Sequence, residues 1–187
     1  MQIKVESRSL TDVVVLVPEI FQDSRGFFIE TFRADQFKDI GLPTEFLQDN
    51  HSRSSRGTLR GLHYQLPHAQ AKLCRVIEGE VLDVAVDIRV GSPYFGKWAS
   101  VLLSADKANM VYVPAGFAHG FVTLTESAQF LYKCSDVYAP KDEHGIIWND
   151  PDLNIAWGIN NPLVSEKDGR YTKLSEMPRH VLPRYSS

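Results

Sequence analysis

Pro114-Ala115-Gly116-Phe117-Ala118-His119-Gly120 is the stretch on which the fold reading turns. Pro and Gly two residues apart break the chain, and His119 follows three residues after Gly116 at the head of the apolar run Phe121-Val122-Thr123-Leu124. Turn residues feeding directly into such a run read as a turn entering a strand. Its companion lies upstream: Gly57-Thr58-Leu59-Arg60-Gly61-Leu62-His63-Tyr64-Gln65, with Lys72 soon after. From Leu59 to Tyr138 the chain reads as short strands separated by turns. Val81 to Val90 is the plainest, because Leu82, Val84, Val86 and Ile88 alternate with Asp83, Ala85, Asp87 and Arg89 at the two-residue period of a strand. Gly91-Ser92-Pro93 turns the chain, and Trp98–Leu103, Met110–Val113, Gly120–Leu124 and Gln129–Val137 follow as further strands.

Outward from this region, Val13–Phe32 reads as strand with a turn at Asp23-Ser24-Arg25-Gly26. Helical pattern is scarce: Ala34–Ile40, stopped by Gly41, and a short piece near Ser165–Asp168. Many short strands with Gly and Pro turns place the chain among all-β sandwiches and barrels. The segment after Trp148 is rich in Pro, Asn and Gly and is expected to wrap the barrel as loops. No linker separates it. The reading is therefore one domain over 1–187, with a strand arm at 1–45, a barrel core at 46–145 and a C-terminal wrap at 146–187.

With 187 residues the chain is long enough to bury a sizeable core. A net charge of -3 speaks against a general nucleic-acid binder, which needs a basic face. Two cysteines, Cys74 and Cys134, are too few for a disulfide framework; both lie in apolar runs and read as buried free thiols. The apolar run Val13–Val17 is too short to be a signal or a membrane span. The cytoplasm is the expected compartment, with no membrane or nucleic-acid partner.

The paired segments resemble the two halves of a cupin motif, in which Gly precedes a His-x-His pair and Pro-x-Gly-x-x-His closes the set. That resemblance implies a jelly-roll barrel, the double-stranded β-helix of cupins, with a ligand in its mouth or lumen. A metal cupin needs a second His after the first and a carboxylate further on. Gln65 and Lys72 stand there instead. A cation at a ligand position repels a divalent metal, so the expectation is no metal and acid–base work on an organic substrate.

His63 heads the candidates for that work. Positive charge from Arg60 and Lys72 opposes a further cation in the pocket and suits His63 to act as a neutral base. Strict alternation puts Arg60 and His63 on opposite faces, so both reach one pocket if Gly61 breaks the strand. His119 shares parity with Phe117 and Phe121. Tyr132 and Tyr138 share parity with Phe130 and Cys134 if the strand is continuous; a Tyr facing a His across a pocket is placed to act as a general acid. Arg25, beside a turn Gly and ahead of Phe27-Phe28, is suited to an anionic ligand. No phosphate loop or dinucleotide fingerprint is present.

Taken as an ordered series, these segments resemble the dTDP-4-dehydrorhamnose 3,5-epimerase family. The series includes Asp23-Ser24-Arg25-Gly26-Phe27-Phe28-Ile29-Glu30, Gln48-Asp49-Asn50-His51-Ser52, Leu59–Gln65, Lys72-Leu73, Asp83–Arg89 and Tyr112–Phe121. It ends with Tyr132-Lys133-Cys134, Trp148-Asn149-Asp150-Pro151 and Ser165-Glu166-Lys167-Asp168, so it spans roughly Leu10 to Asp168. Ser24 and Ala71 depart from the usual pattern at positions without a chemical role.

The resemblance implies inversion of C3 and C5 in dTDP-4-dehydro-6-deoxy-D-glucose, without a cofactor. Both carbons lie α to the C4 ketone, so deprotonation gives an enolate. Inversion requires removal of the proton on one face and its return on the other. By resemblance His63 is the base, Asp168 orients it, Tyr132 is the acid and Lys72 faces the C4 oxygen. Arg60 and His119 line the sugar and phosphate region. Arg25, Glu30, Gln48, Asn50, Glu143 and Lys167 match substrate-binding positions; Tyr138 matches a residue that stacks on thymine, with Phe27 nearby. A homodimer exchanging N-terminal segments is implied, so that Arg25 and Glu30 serve the partner's site. Three other readings stand beside this one: an epimerase acting at one carbon, a metal-dependent cupin enzyme, and a sugar-binding cupin without catalysis.

Overall fold

The computed structural model describes residues 2–10 and 12–185. Its first strands are β1 (Ile3–Ser9), β2 (Val13–Pro18), β3 (Ile20–Asp23) and β4 (Gly26–Ile29), followed by the short helix α1 (Ala34–Asp39). The central strands are β5 (Gln48–Ser55), β6 (Thr58–Gln65), β7 (Lys72–Glu78), β8 (Glu80–Asp87), β9 (Trp98–Ser104), β10 (Met110–Val113), β11 (Phe117–Thr123) and β12 (Ser127–Cys134). β13 (Glu143–Gly145) and β14 (Leu163–Val164) come last, ahead of three short 3₁₀ turns. One sheet has the order β1-β2-β10-β7-β12-β5, and the second β13-β6-β11-β8-β9, with β14 added beside β6. Among the described residues these strands pair antiparallel except β14 on β6. The architecture is a cupin-type jelly roll, as the turn–strand pattern implies.

The expected strand arm at 1–45 divides in two. β1 and β2 extend the first sheet through β10, whereas β3 and β4 form a separate hairpin. Phe37 of helix α1, with Leu42 just after it, packs against Leu16, Leu73 and Met110 on the outside of that sheet. The hairpin's Phe27 and Phe28 are 71% and 61% exposed.

β8 shows how the alternation is used. Leu59 and Leu62 of β6, with Val84 and Val86 of β8, face outward and are covered by Leu153, Trp157, Leu174 and Leu182 of the C-terminal wrap. Each such large apolar side chain is worth about 1.5–3 kcal/mol when fully buried, so the wrap is an integral part of the core. Ala85 faces the other way and joins the barrel interior with Cys74, Phe117, Phe121 and Phe130. Asp83 and Asp87 share its face and are 1% and 0% exposed. A buried carboxylate needs a partner, and both have one. Asp83 meets His119, while Asp87 takes Arg89 Nη2 and the Ser92 hydroxyl, each at 2.7 Å. Arg89 also reaches Asp12 at 2.7 Å and lies between the rings of Phe117 and Tyr185, tying both chain ends to one end of the barrel.

No helix among the described residues is long and apolar enough to cross a membrane. Cys74 and Cys134 are both free and buried.

Candidate active site

Two adjoining cavities, of about 300 and 530 Å³, open between the sheets and share His63, Lys72 and Tyr132. His63 projects from β6 of the second sheet, and Lys72 and Tyr132 from β7 and β12 of the first. The candidate base and the candidate acid thus stand on opposing sheets and border the same space.

His63 reaches that space because the strand breaks where the sequence suggests it. Across β6 and β11, His119 pairs with His63 but Phe121 pairs with Arg60, so two steps on one strand match three on the other. This bulge puts Arg60 and His63 on the same cavity. Gly61 sits at the break with φ +128°, and a Cβ there would lie 2.5 Å from Gly120 Cα and 2.8 Å from the His119 carbonyl oxygen. Ala at 61 must therefore push β6 from β11. Gly61→Ala is expected to lower stability by about 1–3 kcal/mol and to cut turnover more than the loss of folded protein explains; denaturant titration alongside kcat checks this.

Asp168 lies in the first 3₁₀ turn (Asp168–Arg170) and is 3% exposed. Its Oδ1 is 2.7 Å from His63 Nε2, and its Oδ2 accepts the Gly61 N–H at 3.2 Å. Burial raises the Asp168 carboxyl, but the His63 hydrogen bond and charge, with the Gly61 N–H and the Ser165 contact, outweigh it and hold the group below its ordinary value. An ionised Asp168 accepts a hydrogen bond from Nε2–H, which favours the tautomer with its lone pair on Nδ1.

Burial pushes the Tyr132 hydroxyl up to about 12, with the neighbouring thiols of Cys134 and Cys74 adding to the rise. It remains a proton donor across the ordinary pH range. Among the described residues Lys72 has no ion-pair partner, so its ammonium faces both cavities uncompensated.

The remaining expected residues fall into three groups. Arg60 and His119 line the larger cavity, with the Arg60 Nε–H donating to the Ser54 hydroxyl at 3.1 Å. His119 Nε2 lies 2.8 Å from Asp83 Oδ2, and its ring stacks near Phe130. Asp83 was missed as a site-forming residue, because a charged residue in an alternating strand reads as solvent-facing. Gln48, Asn50, Tyr138, Glu143 and Lys167 form one hydrogen-bonded series along the mouth. Gln48 Nε2 donates to Asn50 Oδ1 at 3.0 Å and Gln48 Oε1 accepts the Tyr138 N–H at 2.7 Å. The Tyr138 hydroxyl donates to Glu143 at 2.6 Å, and Lys167 Nζ donates to the other Glu143 oxygen at 2.8 Å.

The continuous strand through Tyr138 is corrected: β12 ends at Cys134, and Tyr138 stands in the following loop, 48% exposed. Gln65 holds that loop. Its Nε2 donates to the Val137 and His68 carbonyls and its Oε1 accepts the Ala139 N–H. The residue in place of a metal-binding His is thus a fastener for the loop bearing Tyr138.

Arg25, Phe27 and Glu30 form the third group and do not line these cavities. Arg25 pairs with Asp23 at the tip of the β3–β4 hairpin at 2.6 Å, and Glu30 accepts a hydrogen bond from Gln36. Among the described residues one set of metal-type donors converges, Cys74, Asp83 and His119, all buried. Its His and Asp are hydrogen-bonded to each other.

A family model described as dTDP-4-dehydrorhamnose 3,5-epimerase matches residues 7–176. The chain belongs to this family. It is 54% identical over 162 residues to the dTDP-4-dehydrorhamnose 3,5-epimerase of Pseudomonas aeruginosa, covering 86% of this chain and 90% of that one. The dTDP-6-deoxy-D-glucose-3,5-epimerase of Legionella pneumophila, solved with dTDP-4-keto-L-rhamnose, superposes with a TM-score of 0.97 at 42% identity over the whole of both chains. A dTDP-4-dehydro-6-deoxyglucose 3-epimerase from a Streptomyces species is 40% identical, covering 91% of this chain and 89% of that one.

Proposed function

We propose that this protein inverts C3 and C5 of dTDP-4-dehydro-6-deoxy-D-glucose to give dTDP-4-dehydro-L-rhamnose. The observation that carries the reading is the placement of His63 on one sheet and Tyr132 with Lys72 on the other, around one shared space. A sugar ring held between the sheets presents one face to the base and the other to the acid.

His63 Nδ1 takes the proton from the carbon α to the ketone, and Asp168 steadies the imidazolium that forms. Charge moves onto the C4 oxygen, where the Lys72 ammonium stabilises the enolate electrostatically. Tyr132 then donates its phenolic proton to the opposite face of the same carbon, which inverts the centre. The second carbon reacts likewise once the ring has shifted to offer it to His63. Tyr132 regains a proton from solvent, and His63 releases its own.

Arg60 and His119 bind the sugar diphosphate. Gln48, Asn50, Glu143 and Lys167 hold the nucleotide end, where Tyr138 stacks on thymine. We further propose a homodimer in which the β3–β4 hairpin reaches the partner's site. The exposed Phe27 and Phe28, and an Arg25 remote from its own cavities, support that arrangement. Buried free thiols suit a reducing compartment, so the cytoplasm is the proposed location. A site built of titratable side chains and a lysine assigns no step to a metal or other cofactor.

The experiment is a coupled assay with dTDP-4-dehydro-6-deoxy-D-glucose and a downstream NADPH-dependent reductase specific for the doubly inverted sugar. NADPH oxidation that depends on this protein is expected; none would reject the reading. A one-carbon epimerase is the second reading, motivated by the 40% identity to the 3-epimerase, and the higher identity to the double epimerase favours the first.

The pH dependence follows from the roles. The acid must be protonated, so its limb lies where Tyr132 ionises, near 12. A kcat profile is expected to show no loss from Tyr132 at mildly alkaline pH. A fall in turnover at mildly alkaline pH that Tyr132→Phe abolishes would contradict the raised Tyr132 hydroxyl.

A further inference from the structure

We propose that Tyr171 is the positioning residue that fixes the His63 ring, together with Gly145, whose missing side chain makes room for it. The inference rests on the reading of His63 as the base.

In the pairing of β13 with β6, Gly145 is directly opposite His63. Side chains at directly opposed positions pack together, with their Cβ atoms about 4.5–5.5 Å apart. Gly145 offers nothing there. The Tyr171 ring occupies the space instead, and a Cβ on Gly145 would lie 2.2–2.5 Å from three of its ring carbons. The same ring meets the His63 imidazole edge to face, with centroids 5.9 Å apart and an interplanar angle of 71°. Such contacts favour one ring orientation over others.

The backbone around Tyr171 is fixed from both sides. The turn that carries Asp168 ends one residue before it, at Arg170, and just after it Thr172 pairs with Ile146, its carbonyl accepting the Ile147 N–H at 2.9 Å. One short segment therefore supplies both restraints on His63: a hydrogen bond to Nε2 from Asp168 and a lateral stop from Tyr171. The hydrogen bond alone sets a direction but leaves the ring free to swing about it. The stop removes that freedom and aims Nδ1 at the substrate carbon.

Tyr171 lines neither cavity; its hydroxyl interacts with Lys167, whereas its ring meets His63, so the ring's effect is on rate and the hydroxyl's is separated by Tyr171→Phe. Misplacement of a reacting group by about 1 Å can cost about 10²-fold. The test compares Tyr171→Ala, Tyr171→Phe, His63→Asn and the double variant Tyr171→Ala/His63→Asn in kcat, KM and dTDP affinity. The expected result is a kcat loss of about 10–100-fold in Tyr171→Ala, with kcat retained in Tyr171→Phe and with KM and dTDP affinity the same in the two variants, since both lose the hydroxyl's interaction with Lys167. In the His63→Asn background the alanine change is expected to cost nothing further, because its route runs through His63.

Full activity of Tyr171→Ala would overturn the proposal, as would equal loss in Tyr171→Phe, which would credit the hydroxyl. An undiminished further loss in the double variant would also overturn it, showing that Tyr171 acts elsewhere. If His63→Asn itself keeps full activity, the parent reading fails, and that outcome is separate from the others. Should Tyr171→Ala not fold, Tyr171→Leu replaces it, keeping apolar bulk without the flat ring, and the same kcat loss is expected.

Discussion

His63→Asn lowers kcat by about 10²–10⁴-fold, the range that a positioned general base contributes. Asparagine fills a similar volume and still reaches the Asp168 carboxylate, but it has no lone pair of useful basicity. On the proposed assignment the mouth residues, Arg60 and His119 hold the dTDP moiety, so its affinity is expected to stay at the native level. Steady-state kinetics and calorimetric dTDP binding on the same preparation separate the two effects. Near-native turnover would mean that the base lies elsewhere. Loss of dTDP binding would instead make His63 a binding residue.

Lys72→Met removes a charge while keeping most of the side-chain length. The enolate oxygen carries charge in the transition state that the ketone lacks, and loss of one positioned electrostatic donor typically costs about 10²–10³ in kcat, or about 3–4 kcal/mol. Lys72 has no ion-pair partner among the described residues, so the substitution strands no carboxylate and the fold should keep its stability. Expected is a fall in kcat with little change in dTDP affinity, because dTDP carries no C4 ketone. Unchanged kcat would show that the enolate charge is met by another group.

Much of this site was legible from the residues. The Pro114–Gly120 turn and the Gly61 break each have a local physical meaning that the structure follows, and Lys72 lines the cavity. Contacts between distant segments were not legible. Alternation marked Val81–Val90 as a strand but not which face was interior. The apolar face turned outward because the C-terminal wrap covers it, and Asp83 went inward to His119. Gln65 was read by what it cannot do for a metal, while its contacts to the Tyr138 loop depend on a chain path no periodicity encodes. Tyr171 carried no signal, since its role exists through a glycine 26 positions earlier, at the place opposite His63.

The lysine remains the most telling departure from a metal cupin. With His63 and Tyr132 on facing sheets, its proposed role is to supply at the C4 oxygen the positive charge that a metal would otherwise bring.

The account's central claim is deprotonation and opposite-face reprotonation at both carbons next to the ketone. Turnover of dTDP-4-dehydro-6-deoxy-D-glucose in D₂O, followed by NMR of the sugar, tests it most directly. The account predicts solvent deuterium at both C3 and C5 of the inverted product. Deuterium at one carbon alone, or inversion without any uptake from solvent, would contradict it.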